Sequence, residues 1–318
     1  MKILKGLLIA LGIIIAFVVI AIILLFAWAS KQPAVKENYF ERVVTDKPLE
    51  QKYTGKGSYA VSTAVYSTDN TKIGYFKVWY PSELESTGNT YPLVVMANGT
   101  GVKSSKYEAV FEHLASWGFI VIGNEDENSW DGTSSAESLD IMIKMNDDSK
   151  SIFYHKVDLE NIGVAGHSQG GVGAINAVTA QENGSRYKAV YTASAKHSEL
   201  AQGLKWSYDV SKINIPYFMT AGTLKIDAGD GIEGSSNVGI APLFSLRENY
   251  SAISSNITKI MARRVNTDHG DMLPLADGYM TAWFMYWLNG DEEAGNVFFG
   301  DNAEILTNAN WQDIEKNH

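Results

Sequence analysis

The stretch IGVAGHSQGGVGAINA, residues 162–177, constrains this chain more than any other. Its first part is apolar without alternation, as in a strand covered on both faces. Its last part is rich in Ala and apolar at helical spacing. Between them stands Ser168, with Gly166 and Gly170 two positions to either side and Gly171 next. A chain passes from buried strand to packed helix in so few residues only through a tight turn. Glycine removes the side chains that would collide there. Strand, tight turn and helix form the repeating unit of a sheet with helices on both sides.

The rest of the sequence keeps that rhythm. Alternating runs at 59–68 and 73–81 read as a half-buried antiparallel pair. Continuous apolar runs follow at 91–99, 119–125, 161–168, 187–194, 215–223 and 257–265. Helical spacing appears at 104–118, 134–148, 170–181 and 275–291. The pattern predicts an α/β fold: a mostly parallel, doubly wound sheet with antiparallel N-terminal strands. In such sheets the loops at the carboxyl ends of the strands carry the chemistry.

The first residues differ from everything after them. Lys2 and Lys5 precede 24 uncharged residues, Gly6 to Ala29. As a helix at ~1.5 Å per residue, that run crosses a hydrocarbon core of ~30 Å, and it exceeds the ~7–15 apolar residues of a secretory signal. The expected organisation is a transmembrane signal-anchor at 1–30, a polar tether at 31–55 and a catalytic domain at 56–318. The domain would lie outside the cytoplasm at the cell membrane, with Lys2 and Lys5 inside. The small-x-small sequence Ala27–Ser30 keeps an alternative open: cleavage after Ala29 and secretion.

Beyond residue 36 the chain holds 22 basic and 36 acidic residues, net −14, which argues against a nucleic-acid partner. There is no cysteine, so neither a disulfide nor a cysteine-based metal site is available. No cofactor and no metal are called for. A metallohydrolase would want closely spaced histidine ligands, and His113 and His155 read as ordinary helix and loop residues.

Gly166-His167-Ser168-Gln169-Gly170 matches G-x-S-x-G in the setting the motif demands, where a buried strand meets a helix. The helix start near Gly170 directs free N–H groups and a positive dipole end at the serine. A nucleophilic Ser needs a base and an acid, and on this fold they follow in the order Ser, acid, His. His269, just past the run 257–265, is the candidate base. His197 comes too early, and His318 ends the chain. Asp227 and Asp230 both follow the run 215–223; Asp227 is preferred because it needs less loop to reach His269, and the choice stays open. Asp268 reads as a local residue. The oxyanion donors would be the backbone N–H groups of Gln169 and Thr100. His167 and Trp130 are the candidate substrate-binding residues.

These residues resemble those of the α/β-hydrolases, and within them the bacterial cutinase-like polyester hydrolases of the dienelactone hydrolase superfamily. The blocks LASWGFIVIGNEDENSWDG, HKVDLENIGVAGHSQGG and AWFMYWLNGDEEAGNVFFG carry the likeness, which spans roughly residues 90–300. It implies an α/β-hydrolase fold and gives Ser168, His269 and Asp227 the triad roles, with Thr100 and Gln169 at the oxyanion hole. Many polyester hydrolases carry an aromatic residue where Thr100 stands and Met where Gln169 stands. The expected activity is carboxylic ester hydrolysis through an acyl-enzyme, on a small or polymeric ester. The alternatives are acyl transfer by the same triad and a non-catalytic surface module that keeps the fold for binding.

Overall fold

The computed structural model describes residues 2–29 and 32–318, without the side chains of residues 2–11, 13, 26, 27 and 29. The chain divides into two compact units after Ala34.

The first unit is helix α1, Lys2–Ala29. Its described apolar side chains face outward, Phe17 at 74% and Leu24 at 64% exposure. Among the described residues no helix is long and apolar enough to cross a membrane. The expected spanning segment at 1–30 is thus not supported there. Its side chains are described without a break only over residues 14–25, and twelve helical residues rise about 18 Å against a core of ~30 Å. Ser30, which ends the expected cleavage motif, lies outside the described residues.

The second unit begins at Val35, and this corrects the expected tether at 31–55 and the domain start at 56. Val35, Tyr39 and Tyr53 are buried, and helix α2, Pro48–Thr54, starts on a proline whose fixed φ suits a first turn. The buried carboxylate of Glu50 accepts from Arg264 Nη1 at 2.7 Å, Trp311 Nε1 at 2.9 Å, and the amides of Asn308 and Asn310. A polar composition concealed this segment, because its few large residues are the ones that dock.

Strands β1 (Val61–Ser67) and β2 (Tyr75–Pro81) pair antiparallel. After them come β3 (Tyr91–Ala97), α3 (Glu108–Ser116), β4 (Ile120–Asn124), α4 (Thr133–Asp147), β5 (Val157–His167) and α5 (Gln169–Thr179). Strand β6 (Ala189–Ala193), helix α6 (Ser198–Gly203), β7 (Tyr217–Gly222), α7 (Lys225–Ala228) and α8 (Leu243–Ala252) follow. The chain closes with β8 (Lys259–Arg264), α9 (Met272–Leu275), α10 (Asp277–Asn289) and β9 (Trp311–Lys316). Among the described residues the nine strands form one sheet in the order β1-β2-β4-β3-β5-β6-β7-β8-β9. Strands β3 to β8 are parallel to one another, and β1, β2 and β9 make the antiparallel contacts.

Period-2 alternation sends neighbouring strand residues into two cores. Val94, Met96, Val121 and Phe218 join Phe111, Trp283 and Phe298 on one face. Leu93, Val95, Ile122 and Met219 join Leu139, Met142 and Ile175 on the other. Burial on both faces is why β3 reads as an unbroken apolar run, whereas edge strand β1 alternates between exposed and half-buried. Strand β9 has no such signature. WQDIEK carries charges that suit an exposed edge, and its pairing partner lies some fifty residues upstream.

Candidate active site

The turn between β5 and α5 is as tight as its glycines imply. A Cβ on Gly166 would stand 1.9 Å from the carbonyl oxygen of Gly170, and one on Gly170 would stand 2.2 Å from that of Ala97. Ser168 holds φ +59° and ψ −120°, a strained backbone for a residue with a side chain. Its N–H is fixed by the Ala193 carbonyl at 2.9 Å, and Gly171 N–H donates to its carbonyl at 3.0 Å. The turn leaves Ser168 7% exposed at the carboxyl end of β5.

Two later loops converge on it. His269 Nε2 lies 2.9 Å from Ser168 Oγ, and His269 Nδ1 lies 2.7 Å from Asp227 Oδ1. Asp227 is fully buried, and its second oxygen accepts from Ser194 Oγ and, at 2.7 Å, from Gly222 N–H. Asp230 is elsewhere: its carboxylate is exposed and accepts from Ser235 Oγ and Ile232 N–H within its own turn. Of the two candidate acids, Asp227 is the one that meets the imidazole.

Thr100 stands exposed in the turn after β3, and Gln169 is the first residue of α5. Neither backbone N–H donates to a protein acceptor among the described residues. The Gln169 side chain is fully buried, and among the described residues neither of its amide atoms has a partner. His167 was expected to meet substrate, but its ring turns inward. It is 9% exposed, its Nε2 donates to the His269 carbonyl at 2.7 Å, and the two rings lie 4.7 Å apart. Burial first, then the neighbouring His269, lowers its pKa from 6.5 to about 4. Trp130 lies in the loop after β4, where its carbonyl accepts from Asn176; among the described residues no contact joins its ring to Ser168, His269 or Asp227.

Several contributors carry no motif. Ser194, at φ +51° and fully buried, braces Asp227. Asp268 accepts from backbone groups of both converging loops. Its adjacency to His269 is the only sequence signal it offers. His113, which reads as an ordinary helix residue, is buried and pairs with Asp277 at 2.7 Å, a carboxylate that also accepts from Tyr39.

The sequence matches a family model described as PET hydrolase-like over residues 46–292, which reaches upstream of β1 to take in α2. No curated protein matches it. With a matched span of well over half its length, a mixed sheet in this strand order and a serine at the turn after β5, the chain belongs to the PET hydrolase-like family, a cutinase-like polyester hydrolase branch of the α/β-hydrolases.

Proposed function

We propose that the protein is a serine esterase that cleaves carboxylic esters through an acyl-enzyme on Ser168. The observation that carries this reading is the unbroken hydrogen-bonded line Ser168 Oγ, His269, Asp227, built from the carboxyl ends of three strands. Family membership supports ester hydrolysis in general.

Ser168 Oγ attacks the ester carbonyl carbon while His269 Nε2 takes its proton. Asp227 fixes the Nδ1–H tautomer and stabilises the imidazolium. The oxyanion would face the N–H groups of Gln169 and Thr100. His269 then protonates the departing alkoxide, and the alcohol leaves. Water, deprotonated by the same histidine, attacks the acyl carbon; the acid departs and Ser168 recovers its proton.

The test is hydrolysis of nitrophenyl esters from acetate to long acyl chains by the full-length protein and by Ser168→Ala. Turnover should fall by up to ~10⁶ in the variant. A folded Ser168→Ala protein as active as wild type would end the reading. A wild type silent on every ester would favour a binding module.

The N-terminal 24-residue uncharged run supports membrane attachment with the second unit outside the cytoplasm. Extraction of membranes with alkaline carbonate checks this: an anchored chain stays in the pellet, whereas a chain cleaved after Ala29 appears in the medium.

A further inference from the structure

The two loops that bring His269 and Asp227 together are joined by a short ladder. Thr267 O accepts from Thr223 N–H at 3.0 Å and from Leu224 N–H at 3.1 Å. Asp268 Oδ1 accepts from Ile226 N–H at 2.8 Å, from Asp227 N–H at 3.1 Å and from His269 N–H at 2.9 Å. The approach is close enough that a Cβ on Gly222 would stand 2.2 Å from Thr267 O. On its far side the Asp227 loop is held by Ile240 N–H on Ile226 O at 2.8 Å and Ala241 N–H on Asp227 O at 3.0 Å. On the side facing His269, one carboxylate oxygen ties the backbone of the acid to the backbone of the base.

We propose that Asp268 is a positioning residue: its Oδ1 sets the register between the Asp227 loop and the His269 loop, and so the Asp227–His269 contact. The proposal rests on the triad reading of Ser168, His269 and Asp227. Nothing about it requires the negative charge. It requires an acceptor oxygen at that point in space, and misplacing a reacting group by ~1 Å can cost about 10²-fold in rate.

Two substitutions separate place from charge. Asp268→Asn keeps an oxygen where Oδ1 stands and removes the charge; Asp268→Glu keeps the charge and moves the oxygen by one methylene. In the full-length protein, two readouts are taken on each: the strongly deshielded NMR proton between His269 Nδ1 and Asp227, and kcat against KM on a nitrophenyl ester. Asp268→Asn should keep the proton resonance, and its kcat should stay within about threefold of wild type. Asp268→Glu should lose or broaden the resonance and drop kcat by about 10- to 100-fold with KM little changed. Asp268→Ala should behave as Asp268→Glu does. A Glu variant that keeps both resonance and kcat, or an Asn variant that falls as far as Glu, overturns the proposal. The proton resonance is read without turnover. If the wild type hydrolyses no ester, the function reading fails while the resonance still decides the role of Asp268.

Discussion

His167 donates its Nε2 hydrogen to the backbone carbonyl of His269 across 2.7 Å, so the residue before Ser168 holds the segment that carries His269. Burial first, then the neighbouring His269, lowers the His167 pKa from 6.5 to about 4, so the ring makes this bond in its neutral form at pH 7. A group that binds its proton more weakly when folded destabilises the fold wherever the unfolded chain is protonated. Wild-type stability should therefore fall as pH drops from about 6.5 through about 4. His113 acts in the opposite sense: burial lowers its pKa, but Asp277 outweighs that and raises it, giving stability that is lost as pH rises. The check is the difference in urea midpoint between wild type and His167→Gln across that window. The gap should narrow towards pH 4. A gap that does not change with pH would refute the assignment.

Asp227 and Asp230 differ in what they touch. Asp227→Asn replaces a carboxylate that bonds His269 Nδ1 with an amide that favours the wrong tautomer, and kcat should fall by about 10⁴. Asp230→Asn alters an exposed turn and should leave kcat unchanged. Parallel ester assays of the two variants decide between them, and loss in Asp230→Asn alone would reverse the order.

Glu50 makes the N-terminal segment part of the core. Burial would raise its pKa, yet Arg264 and the Asn308 and Asn310 amides lower it, so it stays ionised beside an Arg264 side chain only 5% exposed. Glu50→Ala strands that buried guanidinium and should cost about 3–5 kcal/mol. Urea unfolding with unchanged m-value measures it; a loss under 1 kcal/mol would mean the segment is loosely attached.

Gln169 buries an amide that has no partner among the described residues, next to Ser168. Gln169→Met removes two unsatisfied polar atoms at similar length and should stabilise by about 1 kcal/mol, a rise in Tm of about 2 °C for a domain of this size. Activity should hold within twofold, because the proposed oxyanion donor is the backbone N–H. A lower Tm would show that the amide has found a partner, such as a buried water.

Local order explains what could be read in advance. Unbroken apolar runs need two covered faces, so β3 to β8 announce themselves as a parallel sheet, and the glycines around Ser168 announce a turn that no other residue fits. Chain order alone also brings the Ser168 and His269 loops to one end of that sheet. Tertiary structure decided the rest, because the deciding contacts join residues far apart in the chain. Asp227 and Asp230 lie in one turn with the same chemistry, and only the backbone path places Asp227 under the imidazole. Tyr39 meets Asp277 across 238 residues, and Arg264 meets Glu50 across 214, so a segment polar enough to pass for a tether proves to be wall. His167 turns inward and Asp268 staples two loops for the same reason. Composition and spacing fix which elements form, but the direction of a side chain is set by the neighbours that the fold delivers to it.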